Sequence, residues 1–266
     1  MDLRRVLSYV RRAAEDYDMI REGDKIAVGV SAGKDSLTLL CALAEMRRFY
    51  PQKYEVVAIT VDMGFDGMDF TPIRRLCEEL DVPYHVIKTD IYDIIFNVRK
   101  EKSPCALCAK MRRGVLNNSA RDLGCNVVAL GHHYDDVVDT FMLNLFYEGR
   151  IGCFQPVTDL TRVGVRVIRP LLYLPEKQVR TFAAKEQLPV VKSSCPADGD
   201  TKRTEMNELM NSLDRQSPGL RHRIFGALQR ADVDGFAPLP PRPKKSRAER
   251  EAEAAAAALR EENEAP

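Results

Sequence analysis

KIAVGVSAGKDSLTLLCALAEM, residues 25–46, passes from a short apolar run with β-branched residues, through a turn of small residues, into an apolar stretch of helical length. The order is strand, loop, helix. It recurs along the chain: EVVAITVD (55–62) precedes a helix near 70–80, VPYHVIK (82–88) a helix through 109–123, and NVVALG (126–131) a helix near 135–147. Short buried strands alternating with helices imply an α/β fold, a doubly wound parallel sheet covered on both faces. Ligands on such sheets sit beyond the carboxyl ends of the strands. SAGKDS, Asp62 and GHHYDD all fall just past strand ends, so they are expected to converge.

Around this unit, the 266 residues suffice for one large domain with a sizeable core. Residues 1–20 place Leu3, Val6, Leu7, Val10 and Ala14 at helical spacing with arginines between them, an amphipathic helix and not a signal peptide. No stretch reaches the roughly 20 apolar residues of a membrane span, which points to a soluble, cytoplasmic protein without membrane partners. Residues 21–230 carry the α/β domain and its C-terminal extension, with a β segment in GVRVIRP and a helix at about 175–187. Residues 231–266 read as a disordered Pro/Ala/charged tail, the composition changing most at Ala237. Seven cysteines with no export signal argue against a disulfide framework. The net charge of +1 excludes nothing, because clustered charge matters more than the total. Basic clusters flank the Cys pair (Arg99, Lys100, Lys102; Lys110, Arg112, Arg113) and Arg215, Arg221, Arg223 and Arg230 lie near residue 230; solvated helix faces explain them equally well.

Three constellations carry chemistry. In Ser31-Ala32-Gly33-Lys34-Asp35-Ser36, small residues let backbone N–H groups face an anion, the helix N-terminus adds its dipole, and the hydroxyls and Lys34 reach phosphate oxygens. The spacing differs from the G-x-x-x-x-G-K-[ST] loop. It is similar to the S-G-G-K-D-S loop of enzymes that cleave ATP between the α and β phosphates, with Ala32 at the first glycine; a plain helix cap is the bland alternative. Cys105-x-x-Cys108 at a helix start, with Cys195 in a distant loop, suits a three-thiolate metal centre, while zinc, a redox dithiol or structural thiols stay open. Cys41, Cys77 and Cys125 sit in packing contexts, and Cys153 has no evident role. Gly131-His132-His133-Tyr134-Asp135-Asp136 opens a helix with carboxylates able to hold Mg²⁺, or merely to cap the helix.

Together, SAGKDS, PCALCAKMRRGVL, LGHHYDDVVDT, LNLFYEG, VIRPL and the Cys195 loop resemble the tRNA 2-thiocytidine synthetase family of PP-loop ATP pyrophosphatases over residues 20–230. The resemblance implies an adenine-nucleotide α-hydrolase (Rossmann-like) fold, ATP and Mg²⁺, and a 4Fe-4S cluster on Cys105, Cys108 and Cys195 with one iron open for sulfur. It implies nucleotide contacts from Ser31 to Ser36, Gly131 and His132, with Lys34, Asp35, Asp62 and Asp135 in the ATP step. Its partners are tRNA, a sulfur donor such as a cysteine desulfurase and, as an option, a second copy in a homodimer. Arg112 and Arg113, one turn past Cys108, are placed to meet the RNA backbone. The expected chemistry adenylates the C2 oxygen of an anticodon-loop cytidine and replaces it with sulfur. A persulfide or zinc enzyme acting on another base, and a non-catalytic nucleotide-binding module, are the alternatives. The chain departs from the family pattern in a shorter Lys88–Cys105 segment and in SSCPADGDTKR, where some members carry a further cysteine.

Overall fold

The computed structural model describes residues 2–65, 67–99, 104–191, 195 and 202–240. Six strands form one sheet: β1 (Asp24–Gly29), β2 (Tyr54–Asp62), β3 (Tyr84–Lys88), β4 (Val127–Ala129), β5 (Val157–Leu160) and β6 (Val165–Ile168), in the order β3-β2-β1-β4-β6-β5. All pairings are parallel except β5 with β6. The expected parallel sheet is therefore present; the antiparallel edge strand β5 escaped the sequence reading. Its run Val157-Thr-Asp-Leu160 is short and half polar, as an edge strand with one wet side permits.

Residues alternate between two cores with the period of a strand. Ile26, Val28, Val56, Ala58, Val127, Ala129 and Ile168 face a large core built with α1 (Leu3–Asp16), α2 (Lys34–Met46), α3 (Thr71–Glu79), α5 (Tyr134–Tyr147), α6 (Glu176–Lys185), α7 (Lys202–Gln216) and α8 (Leu220–Arg230). Ala27, Val57, Ile59, Val128, Val165 and Val167 face the other way, onto Leu116 and Ala120 of α4 (Pro104–Asp122). That two-sided burial is why the strands read as continuous apolar runs. At the sheet's amino end, buried Asp24 accepts from Arg166 at 2.6 Å and from Asn126 at 2.8 Å, tying β1 to β6 and to the residue before β4.

Two boundaries move. The N-terminal helix is no appendage, since Val6, Val10 and Ala13 are fully buried in the main core. Nor does the fold stop at 230. Phe236 is fully buried against Tyr17, Phe225 and Phe154, Tyr17 Oη donates to the Phe236 carbonyl at 3.0 Å, and the Asp16 carbonyl accepts from Leu239 N at 2.7 Å. One aromatic ring in a polar run was enough to anchor residues 231–240, a contact that composition averages hide. Residues 241–266 of the expected tail lie outside the described residues.

Phe236→Ala should cost about 3–5 kcal/mol by emptying this aromatic cluster, whereas deleting 241–266 should leave the urea midpoint unchanged. Paired denaturation curves check both.

Candidate functional site

The order β2-β1-β4 places β1 and β4 side by side although the chain reaches them far apart, so the loops after them open into one crevice. Gly131 makes the junction: a Cβ there would lie 3.1 Å from the Asp35 carbonyl carbon and from Ser36 N. Only a residue without a side chain lets the β4–α5 turn approach the first turn of α2 so closely.

The SAGKDS loop folds on itself. Ser31 N and Oγ reach Ser36 Oγ at 3.1 and 3.3 Å, and Ser36 Oγ donates to the Gly33 carbonyl at 3.0 Å. Ala32 is buried with φ +64°, the left-handed region, so the methyl in place of glycine leaves the turn shape intact at a strain of about 1–2 kcal/mol. Gly33 caps α2 without any side-chain hydrogen bond, which leaves the first amide N–H groups available to an anion.

Lys34 Nζ sits between two carboxylates, Asp35 at 3.0 Å and Glu176 at 3.1 Å. Burial works against its charge, but Asp35 and Glu176 outweigh it and raise the pKa, so Lys34 is a cation. The other Asp35 oxygen, Oδ1, is buried with no hydrogen-bond partner, and His133 Nε2 stands 3.7 Å away. An orphaned carboxylate oxygen beside a phosphate cradle fits a cation such as Mg²⁺. Asp135 fits less well, because its Oδ2 accepts from Glu176 N at 2.7 Å and its Oδ1 faces Arg221 at 3.6 Å.

The two histidines divide differently from the sequence expectation. His133 faces the loop and closes a capping box with Asp136 at the start of α5. His132 turns instead onto Phe154, with ring centroids 4.9 Å apart, and burial together with the nearby Arg169 charge lowers its pKa to about 4. Asp62 spends its carboxylate on Gly64 N at 3.0 Å, within the loop whose Met63 sulfur meets Cys108 Sγ at 3.6 Å. It stands on the cysteine side of the crevice.

Cys105 is exposed, and Cys108 and Cys195 are half-buried, whereas Cys41, Cys77, Cys125 and Cys153 are buried. Burial raises the Cys108 thiol, Arg112 opposes that, and Cys195 and Cys105 are both near enough to raise it further. The three predicted ligands thus share one neighbourhood. Cys153 is a packing residue: its N donates to Asp234 at 2.6 Å, its thiol faces the Val137 carbonyl, and burial raises it to about 12. Arg113 donates to the Ala109 carbonyl at 3.2 Å and is exposed on α4, as is Arg112.

Residues on either side of Cys195 reach the crevice. Val191 N donates to the Ala32 carbonyl at 3.0 Å, and Arg203 at the start of α7 bonds Asp136 at 3.0 Å and Thr140 at 3.2 Å. Glu176 and Arg203 were not legible in the sequence as site residues, and His133 was so only as one of the His pair in GHHYDD. Glu176 follows Pro175 as an ordinary first-turn acid, and nothing local marks its pairing with Lys34.

A phosphate cradle at the carboxyl edge of this sheet defines a PP-loop ATP-binding protein, and the PP-loop domain family matches residues 6–213. The tRNA-cytidine(32) 2-sulfurtransferase of Geobacter sulfurreducens is 41% identical over 228 residues, 85% of this chain and 89% of that protein. The one from Citrifermentans bemidjiense is 40% identical over 227 residues, covering 84% and 89%. Among solved structures, the U34-tRNA thiolase NcsA from Methanococcus maripaludis with its [4Fe-4S] cluster superposes with a TM-score of 0.67 at 25% identity, over 84% of this chain and 77% of that one. The chain belongs to the tRNA-cytidine(32) 2-sulfurtransferase family, a family of tRNA-thiolating enzymes.

Gly131→Ala should push the α2 N-terminus by a few tenths of an ångström and raise KM for ATP about five- to ten-fold with little loss of fold. ATP titrations of tRNA-dependent pyrophosphate release, beside circular dichroism, test this.

Proposed function

We propose that this chain uses ATP to adenylate the C2 oxygen of a tRNA anticodon-loop cytidine, at position 32 as in the names of its relatives, and replaces that oxygen with sulfur at a 4Fe-4S cluster. The single observation that carries the reading is the bond from Val191 to Ala32, which joins the cysteine-bearing segment to the phosphate loop so that both halves of the reaction share one crevice.

The C2 oxygen of a pyrimidine is a poor leaving group. Its attack on the α-phosphate of ATP releases pyrophosphate and turns that oxygen into part of AMP, which the incoming sulfur then displaces. Lys34 and the uncapped amides of α2 offset the charge that grows on the phosphates. Asp35, through its free Oδ1, is the residue that fits Mg²⁺ in the same site. His133 and Glu176 hold Asp35 and Lys34 in place from α5 and α6. Asp135 orders the α6 N-terminus that presents Glu176, and so supports the ATP step without touching it.

Cys105, Cys108 and Cys195 would hold the cluster. Cys108 lies near enough to Cys105 and Cys195 to feel both, and thiolates are the donors that iron–sulfur clusters take. When bound, the cluster supplies an iron position at which sulfur is presented to the activated carbon. Arg112 and Arg113 on the exposed face of α4 meet the RNA backbone, and an anticodon loop supplies the unstacked base that such a site needs. A sulfur donor such as a cysteine desulfurase, a cytoplasmic location and a homodimer complete the reading; no described helix is long and apolar enough to cross a membrane.

Separable halves give separable losses. Lys34→Ala should keep its iron and sulfide yet lower tRNA-dependent pyrophosphate release about 100-fold or more. Cys195→Ser should lose iron and RNA thiolation while remaining folded, and Cys41→Ser should keep both. Iron content, pyrophosphate release and nucleoside mass spectrometry on the same anaerobic preparations decide it; full iron and sulfide in Cys195→Ser would remove the three-cysteine site.

A further inference from the structure

Two arginines are buried among the described residues, and both have carboxylate partners. Arg166 pairs with Asp24 at 2.6 Å and Arg221 with Asp139 at 2.8 Å. Arg169 is half-buried and differs from both. It follows β6, whose last residue Ile168 pairs with Ala129 at the end of β4, so it stands on the sheet edge that carries the phosphate loop. Its Nη1 donates only to neutral groups, the Gln155 carbonyl and Thr158 Oγ1, and its guanidinium lies 5.0 Å from the centre of the Phe154 ring. Its Nε is buried with no hydrogen-bond partner, and among the described residues it has no ion pair with a carboxylate.

The surroundings add positive charge where a half-buried guanidinium without a carboxylate calls for negative. Burial pulls the Arg169 pKa down to about 10; Cys153 opposes that, and Arg113 on the cysteine-bearing helix lowers it further. On the other side of Phe154, His132 presents a second buried nitrogen, Nδ1, without a partner. Burial and the Arg169 charge keep that imidazole neutral, so it adds a hydrogen-bonding group and no competing charge. A guanidinium fork beside a neutral imidazole, with no carboxylate to satisfy it, is the donor set of an oxyanion site.

We infer that Arg169, seated on Phe154 beside His132, binds one backbone phosphate of the RNA strand that brings the target base into the crevice. The inference rests on the tRNA reading above. A phosphate could also come from ATP, but the nucleotide already has Lys34 and the α2 N-terminus. Arg169 is bonded to the β5 side and continues toward Arg113 and Arg112, the exposed cations next to Cys108.

The test uses the full chain, unmodified tRNA transcript and ATP. Arg169→Gln should weaken tRNA binding about ten-fold at ~0.1 M salt and lower the slope of log Kd against log salt by about one, the signature of one lost phosphate contact. KM for ATP should stay within about two-fold of wild type, since Arg169 is apart from the nucleotide cradle. Arg169→Lys keeps the charge and the bulk, and should restore the slope while recovering only part of the affinity, because an ammonium has no fork. An unchanged slope in Arg169→Gln, or a raised KM for ATP with tRNA binding intact, would overturn the assignment. If Arg169→Gln does not fold, Arg169→Lys alone decides: weaker tRNA binding at unchanged KM for ATP supports the site, and wild-type affinity removes it. Wild-type protein that bound no tRNA would remove the functional reading and this inference together, whereas salt-dependent wild-type binding that Arg169 does not affect removes the inference alone.

Discussion

A Cβ on Gly131 would sit 3.1 Å from the backbone of Asp35 and Ser36, so the turn after β4 and the first turn of α2 are in backbone contact. Everything in the crevice is built out from that contact. It sets how far His133 stands from Asp35, and with it where α5 begins. Through Asp135 the start of α5 holds the amide of Glu176, and through Asp136 and Thr140 it holds Arg203. Two parallel strands that meet where the chain order reverses give this geometry without a specialised loop, which is the general reason that ligands collect at such points.

Charge in the crevice is arranged in two separate ways. Around Lys34 each cation has nearby carboxylates, so the lysine is held charged and in place before any phosphate arrives. ATP must then compete with Glu176 and Asp35 for the ammonium, and a divalent cation on Asp35 would ease that exchange. Near the cysteines, Arg112 and Arg113 are exposed on α4. Burial raises the Cys108 thiol and Arg112 opposes that rise.

The chain just before Cys195 reaches the phosphate loop. Val191 is bonded to the backbone of Ala32, the residue whose left-handed conformation shapes the loop. The closing contacts come from farther along the chain, where Phe236 and Leu239 return to α1 and seal the large core. The first and last described segments therefore stabilise each other on the face of the sheet that supports α2 and α5.

From residues 25–46 and their later counterparts, the sequence alone determined the parallel sheet and the phosphate loop, because each rests on local spacing or on a run of side chains with one period. Ala32 could be read as a tolerated substitution because a turn's shape is a local property. What depended on partners distant in sequence was decided only by the tertiary structure. Glu176 and Lys34 are 142 positions apart, and Arg203 and Asp136 are 67 apart. Which of two adjacent histidines faces the loop turns on the start of α5 and on Phe154, and neither leaves a mark in GHHYDD. Phe236 was hidden by its polar neighbours, since composition averages over a window while burial of one ring depends only on whether a pocket is waiting for it.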